Sequence, residues 1–146
     1  MKKTLIGFIG DKGVGKTLAS SVFEKNGFYK ASITSKVREF ASHLFSKEAL
    51  KKNEEEILEQ VRKRGINVNV GYWLNLVLIS VPEDQDYIVF DDLRADEPVS
   101  NKIKLYQILR PDFSQSEVVD IETIMNDGTK DEFTSKIENL CKKIKK

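Results

Sequence analysis

Short apolar runs alternate along the chain with longer stretches whose apolar residues recur at helical spacing. The short runs indicate strands at Thr4–Gly10, Phe28–Ile33, Tyr87–Phe90, Leu105–Leu109 and Ile121–Met125. Helices are indicated at Lys16–Lys25, Glu54–Lys63, Tyr72–Val81 and Glu97–Lys104, and after the turn Asn126–Thr129. One further helix, capped by Thr34 or Ser35, carries an apolar stripe at positions 37, 40, 41, 44 and 45. Asn53 with Glu56 resembles a capping box, and Gly65–Gly71 is predicted to be a loop.

The order of these elements predicts the fold class. Five strands separated by helices favour a parallel sheet covered on both faces, which is an α/β three-layer sandwich. Residues 35–80 hold helices between the second and third strands, so we interpret them as a helical insertion beside the sheet. Residues 1–146 show no linker-like segment and are expected to form a single domain.

Composition and charge bear on whether the protein would bind nucleic acid or a membrane and on its compartment. Lys and Arg total 24 and Asp and Glu total 23, so net charge gives no reason to expect a nucleic-acid polymer or a membrane surface. No stretch approaches the ~20 apolar residues of a membrane span. The single cysteine, Cys141, excludes an internal disulfide and is typical of a reducing compartment. We therefore expect a cytoplasmic protein.

The strongest chemical signal is the segment Gly10–Thr17, which follows the first strand and opens the first helix. It matches the pattern G-x-x-x-x-G-K-[ST] in full, which predicts a P-loop NTPase fold. Glycines let backbone N–H groups approach a phosphate chain, and the helix N-terminus favours negative charge. Lys16 is expected to reach the β- and γ-phosphates of a bound nucleotide, and the Thr17 hydroxyl is expected to bind Mg²⁺. The predicted nucleotide-binding residues are Gly10, Asp11, Lys12, Gly13, Val14, Gly15, Lys16, Thr17 and Leu18.

Two aspartates follow the third apolar run, Tyr87–Phe90. In open α/β sheets, ligands bind at the carboxyl ends of the strands, and a carboxylate placed there can hold Mg²⁺. We therefore predict Asp91 and Asp92 as metal-site residues. Asp91 is the first choice because it directly follows the apolar run, and the alternative for both is a turn or helix-cap role.

A P-loop alone fits several classes of protein. A small GTPase would need a guanine-reading N-K-x-D motif, and Asn101–Lys104 lacks the aspartate. Motors and related ATPases are usually much longer than 146 residues. A kinase that phosphorylates a phosphate must hold two anions together, so it needs cations beyond Lys16. The arginines of the chain are the candidates for that task.

Guanidinium groups suit phosphate because their donors form a planar fork. Five arginines lie in the insertion or just after strands: Arg38, Arg62, Arg64, Arg94 and Arg110. Arg94 lies three residues after Asp91, at the expected mouth of the sheet. We predict functional roles for Arg38, Arg94 and Arg110. Arg62 and Arg64 are expected to be solvated surface charges.

Several shorter motifs follow the P-loop in order. They are Lys36–Ala41, Gly71–Asn75, Ile88–Arg94 with Asp96-Glu97, Arg110-Pro111 with Ser116-Glu117, and Asn126–Thr129. In this order the chain resembles the phage-type deoxynucleoside monophosphate kinases, within the wider P-loop nucleoside monophosphate kinases. The resemblance implies MgATP as donor on the P-loop and a nucleoside monophosphate between the sheet and residues 35–80. It also implies that Arg38 and Arg94 bind the acceptor phosphate and that Arg110 closes over the transferring group.

The predicted reaction is therefore transfer of the ATP γ-phosphate to a (deoxy)nucleoside monophosphate. Its catalytic residues would be Lys16, Arg38, Arg94 and Arg110. Two alternatives stay open: a P-loop kinase for another small acceptor such as dephospho-coenzyme A, and a non-catalytic ATP-binding module. Small-molecule nucleotides are the expected partners, and the chain is expected to be a monomer or a homodimer.

Three other side chains have simpler interpretations. Trp73 begins an apolar segment, so core packing is favoured over stacking on a base. His43 is expected on the surface of its helix, with no metal role. Cys141 lies on the apolar stripe of the last helix and is expected to be a small buried hydrophobe.

Overall fold

The computed structural model describes residues 3–94, 98–111 and 120–146 of the chain. Within these ranges a five-stranded sheet lies between two layers of helices. The strands are β1 (Thr4–Ile9), β2 (Tyr29–Ala31), β3 (Tyr87–Phe90), β4 (Ile103–Leu109) and β5 (Glu122–Met125). The helices are α1 (Lys16–Lys25), α2 (Ile33–Leu44), α3 (Lys47–Val68), α4 (Tyr72–Ser80) and α5 (Lys130–Lys145).

The sheet places the glycine loop and the two aspartates side by side. Its strand order is β2-β3-β1-β4-β5, and every adjacent pair is parallel. Leu5 of β1 stands opposite Ile88 of β3 and, on the other side, opposite Ile103 of β4. All strands point the same way, so their carboxyl ends form one edge, where sites of open α/β sheets lie. The predicted parallel α/β fold, with helices inserted between β2 and β3, is confirmed.

Large apolar side chains form a core on each face of the sheet. Beneath α1 and α5, Phe8, Phe23 and Phe133 are almost fully buried, and the rings of Phe8 and Phe23 meet edge to face at 5.2 Å. Beneath α2 and α4, the buried side chains include Trp73 and Ile88. Burial on both faces explains why the strands read as continuous apolar runs. It also confirms that Trp73 packs in the core.

Helix α3 differs most from its prediction. It begins after the cap Ser46 and continues to Val68, so the loop predicted from Gly65 onward is wrong for residues 65–68. Gly65 is buried, and a Cβ there would stand 2.5 Å from the Trp73 indole nitrogen, so its lack of a side chain permits close packing on α4. Asn53, predicted as a cap, has non-helical angles (φ −138°, ψ 38°) and kinks the helix.

Helix α2 begins earlier than predicted. Its cap is Ser32, whose hydroxyl oxygen accepts a hydrogen bond from the Ser35 N–H at 3.0 Å. Neither Thr34 nor Ser35 is therefore the cap, and β2 ends at Ala31. The sequence left this boundary open because hydroxyl residues at 32, 34 and 35 are all good capping residues.

The short helix predicted for Glu97–Lys104 is wrong in its described part. Residues 98–102 are not helical, and Ile103 already begins β4. Ile103 is buried opposite Leu5 of the central strand, and this tertiary pairing overrides the local helix propensity. Residue Glu97 itself lies outside the described residues.

His43 and Cys141 lie where the sequence predicted them. His43 is exposed on α2. Cys141 is buried on α5, and burial raises the pKa of its thiol to about 12. Throughout the described ranges, no helix is long and apolar enough to cross a lipid bilayer.

Candidate active site

Glycines determine the shape of the loop between β1 and α1. Gly10, Gly13 and Gly15 have φ angles of 152°, 90° and 120°, which side-chain-bearing residues rarely adopt. A Cβ at Gly10 would also stand 2.7 Å from the carbonyl oxygen of Ile108. The loop is closed by a hydrogen bond from the Val14 N–H to the Asp11 carbonyl at 3.2 Å. Backbone conformation therefore builds the phosphate-binding concavity that the motif predicts.

The far end of the chain supports this loop from behind. The Asn126 side-chain amide donates to the carbonyl of Val14 at 2.8 Å, and its backbone N–H donates to the carbonyl of Leu109 at 2.8 Å. The ring of Phe133 lies against Gly15, where a Cβ would come within 2.9 Å of it. The loop is thus held between β4, the turn after β5 and helix α5.

The loop forms one wall of a cleft of about 560 Å³, which we call the donor cleft. In the described residues no side chain caps the first turn of α1, so its N–H groups can serve an anion. The cleft is lined by Lys12, Gly13, Gly15, Lys16, Thr17, Leu18, Thr34, Asp91, Asp92, Leu93 and Arg94. It therefore combines the P-loop with both predicted metal-site aspartates.

Asp91 is held by partners from two directions. Its Oδ2 accepts a hydrogen bond from the Ser20 hydroxyl at 3.0 Å and forms an ion pair with Lys30 Nζ at 3.4 Å. Ser20 is fully buried on α1, and its hydroxyl also lies 3.0 Å from the carbonyl of Thr17. These contacts join the end of β3 to the helix that carries Lys16.

The two carboxylate oxygens of Asp92 differ in their hydrogen bonds. Its Oδ2 accepts hydrogen bonds from the Ser32 hydroxyl at 2.7 Å and from the Thr34 N–H at 2.8 Å, so it also stabilises the start of α2. Its Oδ1 is buried and has no hydrogen-bond partner among the described residues. A buried acceptor without a partner is costly, and a water or an ion can satisfy it.

The donor set at this edge fits Mg²⁺ that is shared with a phosphate. Mg²⁺ typically binds one or two carboxylates together with substrate phosphates and waters. Thr17, Asp91 and Asp92 line the same cleft as Lys16, and the buried Oδ1 of Asp92 has no hydrogen-bond partner among the described residues. Within the described ranges no group of three or more His, Cys, Asp or Glu side chains could hold a metal. The roles of Thr17, Asp91 and Asp92 at a metal therefore stay predictions.

A second cleft of about 700 Å³, which we call the acceptor cleft, adjoins the first. It lies between α2 and α3 and is lined by Thr34, Val37, Arg38, Glu54, Glu55, Glu56, Leu58, Glu59, Arg62 and Arg94. Thr34 and Arg94 line both clefts and so mark their junction. Three arginines and four glutamates thus line this cleft, which shares two lining residues with the donor cleft.

Arg62 is buried, which corrects the expectation that it is a surface charge. Only 2% of the residue is exposed, whereas Arg64 is exposed as expected. Its guanidinium donates to the carbonyl of Asp92 at 3.0 Å and to the Thr34 hydroxyl at 3.3 Å. Its own carbonyl accepts from the Trp73 indole N–H at 2.9 Å. Arg62 therefore ties α3 to α4 and to the junction of the two clefts.

The two arginines predicted to bind the acceptor phosphate are both paired with glutamates of α3. Arg94 forms a charge-assisted hydrogen bond with Glu59. Arg38 lies on α2 and contacts Glu54 at 3.1 Å, with both side chains about half exposed. Each predicted acceptor arginine thus lies at the acceptor cleft with a carboxylate beside it.

Arg110 lies beside the P-loop. Its guanidinium donates to the carbonyl of Gly13 at 3.4 Å. Its predicted role over the transferring group stays a prediction. The motif residues Asp96-Glu97 and Ser116-Glu117 lie outside the described residues, so their predicted places in the site stay predictions.

Sequence reasoning missed several residues of this region. Arg62 lies four residues after Leu58 and four before Ile66, and both partly buried neighbours pack on the core, so helical spacing already placed it on the inner face. Ser20 follows the P-loop threonine by one turn and carried no comparable signal. Lys30 and Glu59 act through partners distant in sequence, which spacing alone does not reveal.

Comparison with known proteins supports the fold. No protein-family model and no curated protein matches this sequence. Among solved structures, the dephospho-CoA kinase from Campylobacter jejuni is similar, with a TM-score of 0.59 and 14% sequence identity. The match covers 99% of this chain and 98% of that chain, so the similarity extends over the whole length. At this identity the match shows a shared fold and does not by itself show a shared activity.

Proposed function

We propose that this protein is a P-loop kinase that transfers the γ-phosphate of MgATP to a nucleoside or deoxynucleoside monophosphate. The observation that carries the proposal is the junction of the two clefts at Thr34 and Arg94. One cleft has the P-loop and two aspartates, and the other has three arginines together with four glutamates of α3. Such a pair of sites suits two phosphorylated molecules placed end to end.

The chemistry needs alignment and neutralisation of charge more than a protein base. An oxygen of the acceptor phosphate would form a bond to the γ-phosphorus while the bond to the bridging β-γ oxygen breaks, which releases ADP. Lys16 and the P-loop N–H groups would stabilise the donor phosphates, and Arg94 the charge at the junction. When bound with ATP by Thr17 and the two aspartates, Mg²⁺ would neutralise charge on the phosphate oxygens.

The arginine at the junction favours a phosphate as the attacking group. A phosphate monoester is already ionised near neutral pH, so it needs cations beside it and no general base. An alcohol must lose a proton as it attacks, and it gains little from a guanidinium. Arg94 therefore suits a monophosphate acceptor, while Arg62 and Arg38 supply further positive charge along the acceptor cleft.

A second candidate acceptor is dephospho-coenzyme A. It is favoured by the structural similarity to a dephospho-CoA kinase over nearly the full length of both chains. This molecule would attack through a hydroxyl group, and its own diphosphate could occupy the arginines farther along the acceptor cleft. Asp92 Oδ1, buried without a partner in the described part of the chain, would then be the candidate proton acceptor.

The deciding experiment measures ADP release from MgATP with a panel of ribo- and deoxyribonucleoside monophosphates and with dephospho-coenzyme A. We expect strong stimulation by one or a few monophosphates. Lys16→Ala should lower this rate by at least about 100-fold, since it removes a fixed positive charge from the transferring group. Lys25→Ala, at the exposed far end of the same helix, is the matched control and should keep the wild-type rate.

The other outcomes separate the alternatives. Stimulation by dephospho-coenzyme A alone would replace the monophosphate with the second candidate. If ATP binds in calorimetry and no acceptor accelerates ADP release, the kinase proposal is wrong and a non-catalytic ATP-binding module takes its place.

A further inference from the structure

The acceptor cleft contains a contact that the proposed reaction does not use. Arg94, at the junction of the two clefts, hydrogen-bonds to the carboxylate of Glu59 on α3. The acceptor phosphate would need the same guanidinium. Nη1 of Arg94 donates to Glu59 Oε2, and a phosphate bound through the paired donors that include Nη1 would need the same N–H groups. Glu59 and an acceptor phosphate bound in this way are therefore competitors for Arg94.

The surroundings of Glu59 keep its carboxylate ionised and leave its ion pair with Arg94 open to replacement by a ligand. Its hydrogen bond from Arg94 lowers the pKa of the Glu59 carboxyl, burial opposes this shift, and nearby Lys63 and Arg62 add to the lowering. Lys63 Nζ lies 3.7 Å from the other carboxylate oxygen. The side chains of Arg94 and Glu59 are 40% and 36% exposed, so water and ligands reach the pair. Such partly exposed ion pairs are weak enough to be replaced.

We propose that Glu59 holds Arg94 at the junction until the phosphate of the acceptor replaces it, which makes Glu59 a positioning and specificity-determining residue. This inference rests on the proposed function. A doubly charged phosphate attracts the guanidinium more strongly than a singly charged carboxylate does. An uncharged hydroxyl, or water, does not displace the carboxylate. The exchange therefore favours acceptors that end in a phosphate monoester.

Arg94 is the arginine at which this exchange affects the reacting groups. Arg38 is also paired with a glutamate, Glu54, but Arg38 lines only the acceptor cleft. Arg94 lines both clefts, so its partner affects the point where donor and acceptor meet. Replacing Glu59 should consequently change the apparent affinity for the acceptor more than the affinity for ATP.

The test uses Glu59→Gln, which keeps the shape of the side chain and removes its charge. With the best monophosphate of the panel, we expect the acceptor KM to fall about two- to five-fold, which is the range of a partly exposed ion pair. The ATP KM and kcat should change less than two-fold. Glu48→Gln, the same substitution at an exposed position of α3 outside both clefts, should leave all three values unchanged. Glu59→Asp, which keeps the charge on a shorter chain, should give an intermediate KM.

A lower acceptor KM is informative because damage to the structure does not produce it. An acceptor KM that is unchanged or higher in Glu59→Gln would overturn the inference, and a higher value would mean that Glu59 orients Arg94 for binding.

Calorimetry with inorganic phosphate provides a readout that needs no turnover. We expect tighter phosphate binding by Glu59→Gln, and equal binding by the two proteins counts against the exchange. If no acceptor stimulates the wild type, the proposed function fails, while the calorimetric comparison still decides the competition at Arg94.

Discussion

The donor cleft and the acceptor cleft are built in different ways. On the donor side, glycines with positive φ angles shape the backbone, and Asn126 and Phe133 hold it from behind. On the acceptor side, long side chains meet in partly exposed ion pairs, such as Arg94 with Glu59. One region is fixed by conformation and packing, and the other by charges that a ligand can rearrange.

This difference suggests that the two clefts bind their ligands in different ways. A preorganised loop binds a phosphate chain without reordering at the moment of reaction. Exchangeable ion pairs let a site respond to the charge of what enters it. Arg62 is the exception on the acceptor side, because it is buried and bonded to the backbone at Asp92. Arg62 therefore connects the acceptor cleft to Asp92, which lines the donor cleft.

The largest effect should come from breaking the donor loop. Gly15→Ala would place a methyl group 2.9 Å from the Phe133 ring at a φ of 120°, so strain and overpacking add. We expect a loss of about 3 kcal/mol in the free energy of unfolding by urea titration, together with weaker ATP binding. Gly71→Ala is the matched control, since its nearest neighbour would be 3.4 Å away, and it should change stability by less than about 0.5 kcal/mol. Equal stability of the two variants would contradict a conformationally fixed loop.

An intermediate effect should come from Arg62→Met. The substitution keeps the apolar stem and leaves the carbonyl of Asp92 and the hydroxyl of Thr34 without their buried donor. We expect a loss of about 2 kcal/mol in the free energy of unfolding. Arg64→Met, two residues later and exposed, should be nearly neutral in the same urea titration. Two superimposable unfolding curves would show that Arg62 does not tie the regions together.

The smallest effect should come from the outer ion pair of the acceptor cleft. A double-mutant cycle with Arg38→Ala and Glu54→Ala should give a coupling below about 0.5 kcal/mol, since both side chains are about half exposed. The coupling should vanish in about 1 M salt, where the screening length is roughly 3 Å. A coupling of several kcal/mol that persists in salt would contradict the view that the acceptor cleft is built from weak, replaceable ion pairs.

Local patterns predicted most of the fold and the donor side. The P-loop could be found because its glycines, lysine and threonine are adjacent in the sequence and lie between a strand and a helix. The buried strands were visible for a similar reason, since burial on both faces leaves a continuous apolar run. Asp91 and Asp92 followed from strand topology, because parallel strands end at one edge.

Long-range contacts explain what the sequence did not reveal. Gly65 looked like a helix end because glycine usually marks one, yet it stays helical where the Trp73 ring packs against it. Arg62 looked solvated because buried arginines are rare, and its partner is a backbone carbonyl 30 residues away. The pairing of Arg94 with Glu59 depends on how α3 packs against α2 and α4, and the periodicity of the sequence does not encode that packing.

The support that α5 gives the phosphate loop has a consequence for synthesis of the chain on the ribosome. The motif is complete once Thr17 has been made, but Asn126 reaches the carbonyl of Val14 across 112 residues. The loop therefore gains its support from Asn126 and Phe133 only after both residues have emerged and α5 has docked. A ligand that binds only the folded state stabilises that state by mass action. Under the proposed function, ATP would thus stabilise folded chains in which α5 is in place and would give no such stabilisation to shorter nascent ones.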